Sequence, residues 1–538
     1  MEDSPGQRIP AEAAIDRPGI ERAVVAVPRR TTAAWTTALV LVPLGLSAWV
    51  YLPVTHVYFW ADDFLNLVDL VARDRLDFLL RPFNGHNLLV WRLVCLIAYG
   101  LFGIRAGPHY CLILATHLLN VALLFVVVRS LTGSALLACL GATLWGTSPV
   151  GGAAITWYSV YGQVLAAFLL LAVLTHVTYR SAAAGPPSGH AAWIWSACML
   201  LASLCFGVGI GMAMVFPVVL LLLRPDAWTR RVQVVSFALP LVTLVLYFGL
   251  RRLYAYIAPI SVLEVWQMIF ARACLAGAPA VLGQLLGFSV ATSLRGFAMA
   301  PRTYPDAASV VAIVAFASGV VLVLAYGKPD LRRAALAMGI LALGIYGVIA
   351  VGRASHYVVF HVAPARIAAQ PHFHYAGTIP IVVLLCLMIE QVARLSHRAA
   401  SVRALALGAG IIVGILGFAR SGFVIEDHRA ARNYVATTLA EIGAAVAARP
   451  PGTTVYLDNG VLPVSVRGQM LTHAVLPGRA ALFVLVAPSG VLDGRRVRFS
   501  EPDPNVFLSY QDLAPKLGAL IVPPWEVPPP GPAVAPER

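Results

Sequence analysis

Two adjacent carboxylates, Asp62 and Asp63, follow the first long apolar run in the string Tyr58-Phe59-Trp60-Ala61-Asp62-Asp63-Phe64. Acids at a water–lipid boundary are costly unless they are solvated, paired or metal-bound. One reading is a polar helix cap beside an aromatic belt. The other is chemical: a general base that takes a proton from a hydroxyl within hydrogen-bond reach, or a metal ligand beside one. Few other acids could compete. Asp69, Asp74 and Asp77 share the same loop, and no Asp or Glu occurs from Phe78 to Pro225.

Two further clusters carry donors and positive charge. The first is Arg81-Pro82-Phe83-Asn84-Gly85-His86. The second is a late stretch holding Arg353, His356, His361, Arg366, His372, His374 and Tyr375. Arginine and histidine beside a bilayer suit a lipid-linked phosphate. His372 and His374 could instead join the acids at a metal, since i and i+2 share a face in an extended segment. They could also do no more than face water.

The elements that must position these residues are membrane spans. The 538-residue chain is 59% apolar and 12% charged, with mean hydropathy +0.79. A soluble domain is about 25% charged, so lipid is the solvent for most of this chain. Apolar runs predict about eleven spans, at 34–53, 110–128, 134–149, 161–179, 192–208, 210–223, 233–250, 308–326, 334–351, 375–391 and 403–420. The segment 88–104 is short and contains Arg92, so it reads as a helix on the outer surface. The segment 258–292 reads as entering and leaving from the outer side, or lying along it.

Short loops rich in arginine then fall on one side, which the positive-inside rule makes cytoplasmic. The expected organisation has a disordered cytoplasmic leader, 1–33, and a membrane domain, 34–420. Its large outer loops are 54–109, 251–307 and 352–374. A small extracytoplasmic α/β domain follows at 421–522, with helical periodicity over 424–447 and strand-like runs at 453–457, 481–486 and 497–499. A Pro-rich disordered tail, 523–538, ends the chain. The fold class is thus an α-helical polytopic membrane protein with a small C-terminal α/β domain.

The clusters, in this order, resemble the GT-C superfamily of membrane glycosyltransferases, in particular its protein mannosyltransferase-like and aminoarabinose transferase-like bacterial members. The matching elements are Asp62-Asp63, Arg81-Pro82 with His86, His117-Leu118-Leu119-Asn120, and Pro371-His372-Phe373-His374-Tyr375. His372 stands where the family pattern has arginine, and Arg353 or Arg366 could substitute for it.

The resemblance implies a polyprenyl-phosphate-sugar donor and an inverting transfer to an acceptor hydroxyl on a lipid, glycan or protein. It makes Asp62 or Asp63 the base, with Asp63 slightly preferred. It implies donor-phosphate contacts from Arg353, Arg366, His372, His374 and Tyr375, and acceptor-side contacts from Arg81, Asn84 and His86. With so few carboxylates elsewhere, a divalent metal is not favoured. The implied location is a bacterial inner membrane, with the N-terminus cytoplasmic and the C-terminal domain periplasmic.

Two rival readings are a polysaccharide polymerase or ligase and a transporter or flippase. The first leaves the acid pair unexplained. The second wants ionisable residues at mid-membrane and inverted repeats, and the spans hold almost no carboxylates. The net charge of +14 comes mostly from arginines at the ends of apolar runs and in the polar tail, not from a basic–aromatic stripe, so nucleic acid is not expected as a partner. The seven cysteines lie in apolar segments without a CxxC pair and read as small buried hydrophobes.

Overall fold

In the computed structural model of the chain, the described residues are 29–59, 62–83, 86–179, 189–227, 229–255, 269–295, 304–415, 425, 436, 440, 443–444, 446–457 and 491–499. The helices run in chain order as α1 (Arg29–Tyr51), α2 (Asp62–Ala72), α3 (Arg75–Leu80), α4 (Leu89–Phe102), α5 (Ala106–Thr132), α6 (Ala135–Gly146), α7 (Pro149–Ile155), α8 (Tyr161–Tyr179), α9 (Gly189–Cys205), α10 (Val208–Leu223) and α11 (Arg230–Ala255). They continue as α12 (Ala271–Arg295), α13 (Ala307–Tyr326), α14 (Pro329–Val358), α15 (Pro364–Ala368), α16 (Thr378–Leu395) and α17 (Ala399–Ile415).

Eight helical segments among the described residues are long and apolar enough to cross a bilayer. The 27 residues of α5 and the 30 of α14 exceed the roughly 20 that a span requires. The outward faces are also apolar. Val234, Phe237, Leu241, Val245 and Phe248 stand exposed along α11, and Val310, Val311, Val314 and Val321 along α13. In water such stripes would drive association; in lipid they cost nothing. The chain is an integral, polytopic helical membrane protein.

Seven of the eleven expected spans coincide with these long segments. The runs 134–149, 192–208, 210–223 and 403–420 fall on shorter apolar helices, α6, α9, α10 and α17. The 14-residue α4 rises only about 21 Å at 1.5 Å per residue, too short for the hydrocarbon core unaided. The segment 258–292 is described from residue 269 onwards. Its described part is one continuous 25-residue helix, α12, and is one of the eight of spanning length. Buried Cys274, Ala278, Val281, Leu285 and Phe288 run along it at helical spacing, so it packs into the bundle rather than lying on a surface. Its Gly277 lies against Tyr357 and Val358 at the end of α14.

Close helix contact needs small residues when no hydrophobic force acts between helices in lipid. Gly211 of α10 and Gly344 of α14 meet backbone to backbone, and a Cβ on either would collide with the other's carbonyl oxygen. The late region expected to be loop from 352 starts as helix: α14 carries Arg353 and His356 before ending at Val358.

Beyond the bundle, β1 (Thr454–Leu457) pairs in parallel with β3 (Arg495–Phe499), which pairs antiparallel with β2 (Val491–Leu492), in the order β1-β3-β2. The strand-like runs at 453–457 and 497–499 are therefore strands. The run 481–486 and the tail 523–538 lie outside the described residues, as do the leader through residue 28 and most of 424–447.

Candidate active site

The acid pair opens α2, where carboxylates in the first turn complement the helix dipole. Its two members face different surroundings. Asp63 is fully buried. Its Oδ1 accepts the Ser159 backbone N–H at 2.6 Å and the Ser159 hydroxyl at 2.7 Å, and its Oδ2 accepts the Tyr110 hydroxyl at 3.3 Å. Asn66, one turn further on, donates its Nδ2 to Ser159 Oγ at 3.1 Å and to the Asp62 carbonyl at 2.9 Å.

Asp62 is only partly buried. Burial, and then the negative charge of Asp63, push its carboxyl up to about 7, while Arg353 pulls the other way. A carboxyl with that midpoint exists in both protonation states near neutrality, which is what a general base needs.

Arg353 is the electrostatic centre of the site. Its guanidinium carbon lies 5.0 Å from the Phe373 ring centroid, a cation–π contact. Its charge acts on Asp62, His86 and His372. His372, in the 3-10 turn Pro371–His374, stands edge-on to Trp157 at 5.4 Å and to Phe373 at 4.3 Å. Burial, then Arg353, then His374 push His372 down to about 3.

His86 stacks on Phe206 at 4.7 Å. Its turn is closed by paired backbone hydrogen bonds with Phe83, both 2.9 Å. Gly207 makes room for the ring, since a Cβ there would stand 2.6 Å from His86 Nδ1. Burial, then Arg353 and Arg251, push His86 down to about 3. His86 and His372, two of the imidazoles that feel Arg353, are therefore neutral near pH 7. They offer hydrogen bonds and not positive charge, which corrects the expectation that these histidines would add to it. The charge at the site comes from Arg353, with Arg251 beside His86.

The other residues singled out from sequence are placed differently. His374 is fully buried; its ring nitrogens meet Tyr346 Oη at 2.9 Å and the Ala368 carbonyl at 2.7 Å, and Phe288 lies 4.8 Å from it. Tyr375 is buried at the junction of α5, α6 and α16. His117 Nε2 reaches the Gly146 carbonyl at 3.0 Å and so carries the proton there. Its Nδ1 then accepts the Tyr375 hydroxyl at 2.8 Å, and Asn120 donates to the same hydroxyl oxygen at 3.3 Å. Trp145 Nε1 donates to the Tyr375 carbonyl at 3.1 Å.

The family-like His117, Asn120 and Tyr375 thus tie the bundle together. Arg366 is exposed on α15. Arg81 donates to the Tyr254 hydroxyl at 2.9 Å and lies 3.7 Å from Asp69, linking the acid loop to α11. Asn84 lies outside the described residues. Among the described residues, no three His, Cys, Asp or Glu side chains converge as a metal-ligand set.

Sequence reading missed Trp157, Ser159, Arg251 and the Phe206-Gly207 pair. The only available signal was the string Trp157-Tyr158-Ser159, a polar–aromatic turn between apolar helices.

Fold and site together define a polytopic helical membrane protein with an acid, an arginine and neutral histidines gathered at one end of its bundle. No family model matches the chain, and no curated protein matches it. Among solved structures it is similar to the crystal structure of ArnT from Cupriavidus metallidurans bound to undecaprenyl phosphate. The match has 16% identity and a TM-score of 0.40, and covers 86% of this chain and 90% of that one.

Proposed function

We propose that the protein is an inverting glycosyltransferase that moves a sugar from a polyprenyl-phosphate donor to an acceptor hydroxyl at the outer face of a bacterial inner membrane. One observation carries this reading: a partly buried carboxyl poised near neutrality, Asp62, shares one end of a lipid-embedded bundle with Arg353 and two neutral histidines.

In this reaction Asp62 takes the proton of the acceptor hydroxyl. The hydroxyl oxygen attacks the anomeric carbon as the bond from that carbon to the phosphate oxygen breaks. The lipid phosphate leaves with the electron pair of that bond, and the configuration inverts. Arg353 faces the departing phosphate charge, and such a fixed cation in a dry site stabilises the transition state. His372 and His86 donate hydrogen bonds. The proposed chemistry is metal-independent. Geometry supports Asp62 as the base rather than Asp63, whose oxygens are committed to Ser159 and Tyr110. A lipid donor fits because its tail enters through the apolar flank while its phosphate sits at headgroup depth.

The test is to purify the wild type in detergent, incubate it with a panel of polyprenyl-phosphate sugars and follow release of sugar from lipid. Turnover with at least one donor, abolished in folded Asp62→Asn, supports the reading. Full turnover in Asp62→Asn, or none from wild type with any donor, overturns it.

A further inference from the structure

Asp63 is the one member of the acid pair that the proposed chemistry leaves unused, and it is fully buried with both oxygens hydrogen-bonded. Its Oδ1 accepts two hydrogen bonds from Ser159, 96 positions along the chain. Ser159 sits in the 3-10 turn Tyr158–Val160, between α7 and α8. That turn is pinned from several sides. Trp91 of α4 donates its Nε1 to the Tyr158 carbonyl at 3.3 Å. Asn66 reaches Ser159 Oγ from α2. Trp157, at the mouth of the turn, touches His372. The acid helix and the late histidine segment, distant in sequence, thus meet at three consecutive residues.

We infer that Asp63 is a positioning residue, which with the strut Trp157-Tyr158-Ser159 locks the first turn of α2 against the His372 segment and so aims Asp62 at Arg353. The inference rests on the proposed transfer reaction and deepens it by dividing the acid pair into a reacting and a holding member. The chemistry suits the division. A carboxylate that accepts a backbone N–H and two hydroxyls makes strong charge-assisted bonds and has little left to offer a substrate. Its rigidity benefits its neighbour, because displacing a reacting group by about 1 Å costs on the order of 100-fold in rate. The Asn66 amide, bonded to both Ser159 Oγ and the Asp62 carbonyl, carries the restraint to the Asp62 backbone.

Asp63 also acts on Asp62 through its charge, which raises the Asp62 midpoint. Asp63→Asn keeps an acceptor oxygen for the Ser159 N–H but removes that charge, so the Asp62 midpoint should move to lower pH. The experiment has two arms, on the full chain in detergent. In the first, the protonated-carboxyl infrared band that disappears in Asp62→Asn is titrated in wild type and in Asp63→Asn. In the second, kcat and donor KM are measured against pH for wild type, Asp63→Asn, Ser159→Ala and Ser159→Thr.

The infrared midpoint moves to lower pH in Asp63→Asn, and its activity profile moves with it while turnover persists. Ser159→Ala loses about tenfold in kcat at unchanged donor KM, and Ser159→Thr, which keeps the hydroxyl, retains most of it. Turnover abolished at every pH in folded Asp63→Asn, an infrared midpoint that does not move, or wild-type kcat in Ser159→Ala would each overturn the inference. If wild type releases no sugar from any donor, the transfer reading fails by itself, and the infrared arm still decides whether Asp63 holds and tunes Asp62.

Discussion

Glu390 and Asp62 are both carboxylates of the helical bundle, and their surroundings differ sharply. Glu390, on α16, is 2% exposed and ringed by two guanidiniums. Arg394 Nε lies at 2.8 Å, and Arg403 reaches it through Nε at 2.9 Å and a terminal nitrogen at 2.8 Å. Both of its oxygens are engaged by fixed cations, as a buried charge must be if it is to remain charged. Asp62 has a like charge as its chain neighbour and feels Arg353 without the close pairing that Glu390 enjoys. The first arrangement spends the carboxylate on holding α16 to α17. The second leaves a carboxyl near its midpoint at neutral pH, with an oxygen for a ligand. The contrast separates an acid that builds the bundle from one available for chemistry, though composition treats them alike.

The largest expected effect breaks the comparison at its reactive side. Asp62→Asn is nearly isosteric and should lower kcat for sugar release by about 1000-fold, the usual contribution of a general base being 100- to 10,000-fold. Glu390→Gln should leave kcat per folded molecule within about twofold. Its cost falls on stability, about 2 kcal/mol from the lost charge-assisted bonds, read as a lower detergent melting temperature. A Glu390→Gln enzyme that stays fully stable but loses turnover would reverse the assignment of the two regions.

Next comes Arg353. Arg353→Ala should raise the donor KM about 30-fold, in keeping with the 1.5–3 kcal/mol of a hydrogen bond to a charged group. Because Arg353 lowers the Asp62 midpoint, its removal should shift the activity profile to higher pH, opposite in direction to Asp63→Asn. Paired pH–rate curves for the two variants check both signs at once.

The pH dependence of stability sharpens the same contrast. Asp62 has a folded midpoint of about 7, raised from 3.8. The folded state therefore holds this proton more tightly than the unfolded chain. Any stabilisation from the protonated form is complete below about pH 4 and is lost as pH rises through 7. Asp62→Asn cannot ionise, so it should melt higher than wild type at pH 8, with the gap narrowing towards pH 5. Melting curves at the two pH values measure this, and an equal gap at both would show that Asp62 is not held in a proton-retaining environment.

Much of the bundle was legible because lipid imposes a simple rule, that a spanning helix needs a long apolar run. Seven expected spans coincide with helices of spanning length for that reason. The packing of α12 against the end of α14 was not legible, because charge parity reports on which side a loop lies and not which helix a segment packs against. The site was legible as a set of residue types and not as a division of labour. Asp62 and Asp63 are chemically identical neighbours, and groups far along the chain tell them apart: Tyr110 and Ser159 bond Asp63, and the Arg353 charge acts on Asp62. The same holds for His372 and His374, two positions apart: one faces Arg353, and the other is taken up by Tyr346 and the Ala368 carbonyl. The charge state of His86 and His372 was also out of reach, since it follows from burial beside guanidiniums brought in from α11 and α14.

The smallest expected effect concerns Tyr375, which sequence resemblance placed at the donor phosphate and the structure encloses within the bundle. Its hydroxyl sits between His117 Nδ1 and Asn120 Nδ2, and the ring lies 5.0 Å from Trp145. Tyr375→Phe keeps the ring and its packing but leaves His117 Nδ1 without its donor. The cost should be about 1 kcal/mol, the net value of a buried hydrogen bond, seen as a small drop in melting temperature. Donor KM should be unchanged, because a group that reaches no ligand cannot alter ligand affinity except by moving its neighbours. A tenfold rise in donor KM with an unchanged melting temperature would move Tyr375 from the framework to the phosphate, and would draw His117 and Asn120, which share its hydroxyl, into the site with it.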